Sequence, residues 1–72
     1  MSRDKKSIIS ANIRKHRAEK GLSQDKLSKL ADVSFNTITK IESGATSNPT
    51  IDTVRKIADA LGVSLDNLIK RG

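Results

Sequence analysis

Residues 24–43 have the sequence QDKLSKLADVSFNTITKIES, in which apolar residues recur with the spacing of two short helices joined by a tight turn. The residues that follow this spacing are Leu27, Ala31, Val33, Ile38 and Ile41. The first two lie four residues apart on one helical face, and Val33 in the turn must meet the last two for the helices to cross nearly at right angles. The spacing predicts a helix-turn-helix, although it is also compatible with other small helical bundles.

The segments on either side of this stretch also contain helix starts and stops. Four helices are predicted to begin after a Ser or Thr cap and three to end before a Gly, which tolerates the left-handed backbone of a helix end. The caps are Ser23, Ser34, Thr50 and Ser64, and the stops are Gly21, Gly44 and Gly62. A first helix is predicted over about residues 7–20. The sequence therefore predicts an all-α fold, a compact five-helix bundle in a single domain over residues 1–72, ordered over about residues 7–70.

The charge of the chain is concentrated near its N-terminus. The 72 residues include 14 Lys and Arg and 8 Asp and Glu, which give a formal net charge of +6. Residues 1–20 hold seven basic and two acidic residues, a net charge of +5. Such a concentration is typical either of a solvated helix or of a surface that attracts a polyanion, nucleic acid before a membrane.

The composition excludes several classes of protein. Without Cys the chain has no disulfide, no Cys-based zinc site and no thiol nucleophile. No apolar run approaches the roughly 18 residues of a membrane span. The only His has no Cys partner and no glycine-rich phosphate loop occurs, whereas catalysis needs a base and a nucleophile within reach, or metal ligands. We therefore expect no enzyme, no metal or other cofactor, no small-molecule ligand and no membrane partner.

Three stretches in combination resemble the lambda-repressor and Cro-like helix-turn-helix regulators. They are residues 21–44, which begin Gly-Leu-Ser-Gln and end Ile-Glu-Ser-Gly, residues 48–50, which read Asn-Pro-Thr, and residues 57–64, which read IADALGVS. The resemblance implies a lambda-repressor-like bundle whose second and third helices form the motif, with a recognition helix over about Ser34–Ser43 in the major groove of DNA. It also implies a cytoplasmic transcriptional regulator of prokaryotic or phage origin. Asp32 stands where these regulators usually have Gly, and Asp tolerates a positive φ better than most residues.

The third helix is polar on the side that faces away from the predicted core. A rotation of about 100° per residue, with the core direction midway between Ile38 and Ile41, sorts its residues. The exposed stripe is Asn36, Thr39, Lys40 and Ser43, with Phe35 and Thr37 at its edges. Asn can pair bidentately with adenine, Lys can reach guanine, Thr serves either base, and an apolar ring can pack on thymine methyls. The pattern by itself also fits a plain solvated helix; with the resemblance it predicts base contacts by Phe35, Asn36, Thr39 and Lys40.

A second set of residues is predicted to contact the DNA backbone. It comprises Ser23, Gln24, Thr37, Ser43, Lys5 and Lys6. Ser23 and Gln24 begin the second helix, where free N–H groups and the helix dipole favour a phosphate. The resemblance gives this Gln a backbone contact and implies a structural ion pair between Arg17 and Glu42. Diffuse attraction to the duplex is assigned to Arg3, Arg14 and, again, Lys5 and Lys6.

The leading functional hypothesis is a sequence-specific regulator that occupies a palindromic operator in double-stranded DNA as a homodimer. A domain of this size buries about 600–1,000 Å² on DNA, so two copies reading half-sites one helical turn apart are expected. The predicted dimer interface is Val63, Leu65 and Ile69, because these residues and Leu68 are more than one face of a short helix buries in its own core. The alternative for this cluster is that all four residues close the bundle.

Two other classes of function remain as alternatives. One is a small antitoxin or protein-interaction module that neutralises a partner protein and regulates its own promoter. The other is an RNA-binding or general nucleic-acid-binding helical domain, which is disfavoured because Phe35 is the only aromatic residue and offers no stacking platform.

Overall fold

The computed structural model describes residues 5–46 and 49–70, and their side chains from residue 8 onward. It contains five α-helices and, over those residues, no strand. The helices are α1 (Lys5–Glu19), α2 (Gln24–Ala31), α3 (Phe35–Ser43), α4 (Ile51–Leu61) and α5 (Leu65–Ile69). The predicted all-α, five-helix fold is confirmed. In the part of the chain described, no helix is long and apolar enough to cross a membrane.

The predicted caps mark the starts of four helices. Ser23, Ser34, Thr50 and Ser64 all have an extended backbone, and each side-chain oxygen accepts a hydrogen bond from the backbone N–H three residues further on. These bonds satisfy N–H groups that have no partner inside the helix. The first helix starts two residues earlier than predicted and ends one residue earlier, at Glu19.

The turn between α2 and α3 depends on a left-handed residue. Asp32 has φ 58° and ψ 44°, and it is the one described non-glycine residue with a positive φ. Its N–H bonds the Lys29 carbonyl at 3.3 Å, and the N–H of Val33 bonds the Ser28 carbonyl at 3.0 Å. Asp is among the few residues that adopt this conformation at small cost. The turn is therefore formed with Asp, not Gly, at its left-handed position.

The core fills the space between all five helices. Its buried apolar residues among those described are Ile13, Leu27, Ala31, Ile38, Ile41, Val54, Ile57, Ala58, Leu61 and Leu68. In this arrangement α1 packs against α3 and α5, while α2 packs against α3 and α4. All five apolar residues predicted to hold the crossing of α2 and α3 lie in the core or, for Val33, against it. One side of α3 is thereby buried and the other remains outside.

Candidate nucleic-acid interface

The outer face of α3 carries the residues predicted to contact bases. Ile38, Ile41 and Glu42 are buried on its inner side. On the outer side Phe35, Asn36, Lys40 and Ser43 are exposed, and Thr37 and Thr39 are half-buried. The structure thus brings the four predicted base-contact residues onto one accessible surface, with Phe35 49% exposed at its N-terminal edge.

The polar side chains of this face differ in how they are engaged. The Thr39 hydroxyl donates to the Asn36 carbonyl at 2.9 Å, and the Ser43 hydroxyl donates to the Lys40 carbonyl at 3.1 Å. The Thr37 hydroxyl accepts from Ser34 at 2.7 Å. Among the residues that the structure describes, the side chains of Asn36 and Lys40 donate to none. These two side chains are therefore available for an external acceptor, whereas Thr39 and Ser43 present mainly oxygen lone pairs.

The start of α2 adjoins the reading face through Gln24. The Ser23 hydroxyl accepts from the Lys26 N–H at 3.0 Å, as a cap does. Gln24 was expected to face the DNA backbone, and its amide instead donates to Glu42 Oε1 at 3.0 Å. One amide hydrogen and the amide oxygen are not used in that bond. Gln24 therefore links α2 to α3, and a phosphate contact would use its second amide hydrogen.

The carboxylate of Glu42 is the centre of a buried polar cluster. Arg17 donates to it twice, from Nε to Oε2 at 2.7 Å and from Nη2 to Oε1 at 3.0 Å, and also donates from Nη1 to the Leu22 carbonyl at 2.7 Å. The Glu42 side chain is 3% exposed and that of Arg17 is 21% exposed. The hydrogen bonds from Arg17 to Glu42 raise the pKa of the guanidinium, burial acts in the opposite direction, and the charge of Glu42 adds to the rise. The two residues expected to pair do meet. The guanidinium group of Arg17 thus joins α1 both to Glu42 on α3 and to Leu22 before α2.

Arg14 and Ser10 make contacts that sequence reasoning missed. Arg14 is predicted to attract the duplex diffusely, and in the structure its Nη1 also donates to the carbonyl of Glu42. The Ser10 hydroxyl donates to the carbonyl of Ile41 at 2.5 Å. Ser10, Arg14 and Arg17 are spaced by four and three residues, which places them on one face of a helix. That spacing was the sign in the sequence that all three residues contact the same neighbouring helix, which is α3.

The C-terminal cluster divides between the core and the surface. Leu68 is fully buried, so it closes the bundle and cannot belong to an external interface. Val63 and Leu65 are partly buried against the core, and Ile69 is 46% exposed. All three residues predicted to form the dimer interface are therefore at least partly accessible, and Ile69 is the most accessible of them.

The remaining predicted residues lie away from the outer face of α3 or outside the part of the chain that the structure describes. The side chains of Lys5 and Lys6, predicted to contact phosphates, and Arg3 lie outside the described residues. His16 is half-buried, with its Nδ1 3.4 Å from Glu19 Oε1. Over residues 5–46 and 49–70, no group of three or more His, Asp and Glu could hold a metal ion.

Comparison with known proteins identifies the class to which this arrangement belongs. A helix-turn-helix family profile matches residues 13–68, which is most of the chain. The chain is 33% identical over 66 residues to the uncharacterized HTH-type transcriptional regulator y4dJ of Sinorhizobium fredii, a match that covers 92% of this chain and 84% of that protein. The chain belongs to the Cro/C1-type helix-turn-helix family, HTH_3.

Solved structures agree with this assignment. The hypothetical transcription factor NHTF from Neisseria superposes with a TM-score of 0.89 at 27% identity, over 93% of this chain and 76% of that one. The N-terminal DNA-binding domain of SinR from Bacillus subtilis has a TM-score of 0.86 at 31% identity, over 90% and 94%. SinR in complex with DNA has a TM-score of 0.83 at 32% identity, over 86% and 98%. The protein is thus a helix-turn-helix DNA-binding domain of the transcriptional-regulator type.

Proposed function

We propose that this protein recognises a specific double-stranded DNA sequence and regulates transcription by occupying its operator, with α3 in the major groove. The observation that carries the proposal is the division of α3 into a buried apolar side and an outer side bearing Asn36 and Lys40. The major groove admits an α-helix and presents donors and acceptors that distinguish all four base pairs. SinR, which shares the fold, has been solved on DNA.

Four residues of the outer face are proposed to read bases. Asn36 has an amide that donates to no residue in the described part of the chain and can pair bidentately with adenine, and Lys40 can reach the acceptors of guanine. The Thr39 oxygen can accept from the amino group of adenine or cytosine, and Phe35, half exposed at the start of α3, can pack on a thymine methyl. The first turn of a recognition helix is where base contacts concentrate, which favours Phe35 and Asn36 in this role.

Phosphate contacts are proposed for residues around the ends of α2 and α3. Ser23 and Gln24 lie where the first backbone N–H groups of α2 and its dipole attract an anion. Thr37 lies at one edge of the reading face and Ser43 at its C-terminal end; to donate to a phosphate, the Ser43 hydroxyl would release the Lys40 carbonyl. Lys5 and Lys6 supply positive charge from the N-terminal segment. These contacts give affinity and register, whereas sequence preference comes from α3.

The active form is proposed to be a homodimer on a palindromic operator. Ile69 is an exposed apolar side chain next to the half-buried Leu65 and Val63, and contact with a second copy would remove this apolar surface from water. Two copies of α3 one helical turn apart would double the base contacts. The cytoplasm of a prokaryotic cell is the proposed site of action.

Selection of bound sequences from a random duplex pool tests the proposal. The expected result is an enriched motif with two inverted halves, bound by two copies of the chain, as counted by sedimentation of the complex. Selection of no sequence at all would contradict DNA reading by α3. A motif without inverted symmetry, bound by a single copy, would retain DNA reading and contradict the dimer.

A further inference from the structure

The C-terminal end of α3 is held by side chains that come from α1. The last carbonyls of any α-helix lack partners within the helix. In α3 the Ile41 carbonyl accepts from the Gly44 N–H at 3.1 Å and from the Ser10 hydroxyl at 2.5 Å. The Glu42 carbonyl accepts from Arg14. Two consecutive carbonyls at this helix end are therefore bonded to α1.

The bond from Ser10 is buried, and the bond from Arg14, which is an exposed residue, is partly buried. Ser10 is 4% exposed, and the residues whose carbonyls it and Arg14 meet, Ile41 and Glu42, are 1% and 3% exposed. Without Ser10 the Ile41 carbonyl keeps its bond to the Gly44 N–H, and without Arg14 the Glu42 carbonyl loses its side-chain donor, so this end of the helix is held less tightly to α1. The other end of α3 does not depend on α1, because Ser34 from the adjoining turn caps it.

The residues nearest the held end belong to the reading face. Lys40 and Ser43 lie within one turn of Ile41 and Glu42 and point outward from the same segment. A rotation or shift of this last turn would displace the Lys40 ammonium from a fixed acceptor on a base. Phosphate contacts made through flexible lysines elsewhere would tolerate the same shift.

We propose that Ser10 and Arg14 are positioning residues that determine sequence specificity without touching DNA. They fix the C-terminal turn of α3 at the orientation in which Lys40 meets its base. The inference rests on the proposed function, because it requires α3 to be the reading helix. Arg14 thereby acts through its hydrogen bond to Glu42 and not through its charge.

The chain offers a matched control for each substitution. Lys15 adjoins Arg14 on α1, is likewise exposed and carries the same charge, but it lines the groove between α1 and α5. Asn12 is the control for Ser10, because its Nδ2 donates at 2.9 Å to the carbonyls of Leu68 and Lys70, at the end of α5. Lys15→Ala removes the same charge as Arg14→Ala, and Asn12→Ala removes bonds to a helix end away from the reading face.

The test measures how strongly each variant prefers one half-site over random DNA. The probe is a duplex with a single half of the motif that the wild-type protein selects, so that dimerisation does not enter. Arg14→Ala and Ser10→Ala are each expected to lower the ratio of specific to random affinity about fivefold, the smaller end of what one base contact contributes. Lys15→Ala and Asn12→Ala should leave the ratio within twofold of wild type. Thermal melting of all four variants verifies that each is folded at the assay temperature.

Each alternative outcome has a distinct meaning. Equal weakening of specific and random binding by Arg14→Ala and Lys15→Ala would make Arg14 an electrostatic contact and overturn the proposal for it. An unchanged ratio for folded Ser10→Ala would overturn the proposal for Ser10, which involves no change of charge. A wild-type protein that selects no sequence would instead refute the proposed function.

Discussion

The helices α3 and α5 are anchored alike but expose different residues. Each begins after a Ser cap, Ser34 or Ser64, and each has carbonyls near its C-terminal end bonded to side chains of α1. The outer face of α3 exposes the polar residues Asn36 and Lys40 beside Phe35, whereas α5 exposes Ile69 beside the partly buried Leu65. A duplex offers donors, acceptors and charge, and a second protein copy offers apolar surface. The contrast supports the proposal that α3 contacts DNA and that α5 contacts another copy.

The largest expected effect comes from breaking the anchor of α3 at its ion pair. Arg17→Ala leaves the Glu42 carboxylate, 3% exposed, with Gln24 as its remaining side-chain donor. Removal of one partner of a buried pair is strongly destabilising, and we expect a loss of about 3 kcal/mol in the free energy of unfolding. Urea denaturation followed by circular dichroism measures this loss. Arg17→Ala with unchanged stability and weakened DNA binding would make Arg17 a DNA contact.

Lys29→Ala is the control for that measurement. Lys29 and Asp25 also form an ion pair, at 2.8 Å, but their side chains are 70% and 62% exposed. An exposed pair four residues apart on a helix contributes about 0.3–0.5 kcal/mol. A loss for Lys29→Ala as large as that for Arg17→Ala would show that burial is not what distinguishes the two pairs.

The helix boundaries were predictable because their determinants are local. Four caps act on N–H groups three residues away, and the positive φ of Asp32 is within the tolerance of its side chain. These features depend on a few neighbouring residues and so leave a clear pattern in the sequence. The start of α1 was predicted two residues too late, at about Ser7, because the helix-start signal near the N-terminus is weak.

The partners within the site were less predictable because they join distant segments. The outer residues of α3 follow from rotation about one helix, and Arg17 and Glu42 were paired through a resemblance to known regulators. The bonds from Ser10 and Arg14 to α3 depend on how α1 docks against it, 31 and 28 residues away along the chain. No local pattern specifies that docking. Charge alone indicated attraction of DNA by Arg14 and gave no sign of its bond to α3.

The second prediction tests the outer face of α3 as a surface that reads DNA. Asn36→Ala and Lys40→Ala remove exposed side chains that donate to no described residue of the chain, so stability should change little. Each is expected to cost about 1–3 kcal/mol on the selected DNA sequence and much less on random DNA. Fluorescence anisotropy with both duplexes measures the difference. Equal losses on both duplexes would mean that α3 does not read the sequence.

The third prediction tests the exposed apolar side chain of α5 as part of the proposed dimer interface. Ile69→Glu places a charge at a residue that is 46% exposed, so the fold should be retained. If the second copy covers Ile69, its replacement should cost about 1 kcal/mol per copy in dimer stability, roughly half the value of burying a whole Ile side chain. Sedimentation with and without a palindromic duplex measures the change.

Ile51→Glu is the matched control for the apolar surface. Ile51 is 61% exposed at the start of α4 and lies outside the proposed interface. The substitution introduces the same charge and should leave the stoichiometry on the palindromic duplex at two copies. If both variants weaken dimerisation equally, the effect is one of net charge and α5 is not the interface.

The smallest expected effect concerns the positive charge near the N-terminus. Replacing Lys5 and Lys6 by Ala removes two of the seven basic residues in residues 1–20. Each neutralised phosphate contributes about 0.9 to the slope of log K against log salt, so the slope should become shallower by at most about two units. The selected sequence should stay the same, because bases and phosphates are contacted by different residues. Binding titrations across a range of salt concentrations measure the slope. An unchanged slope would show that these lysines remain solvated in the complex, and a changed motif would place them among the residues that read bases.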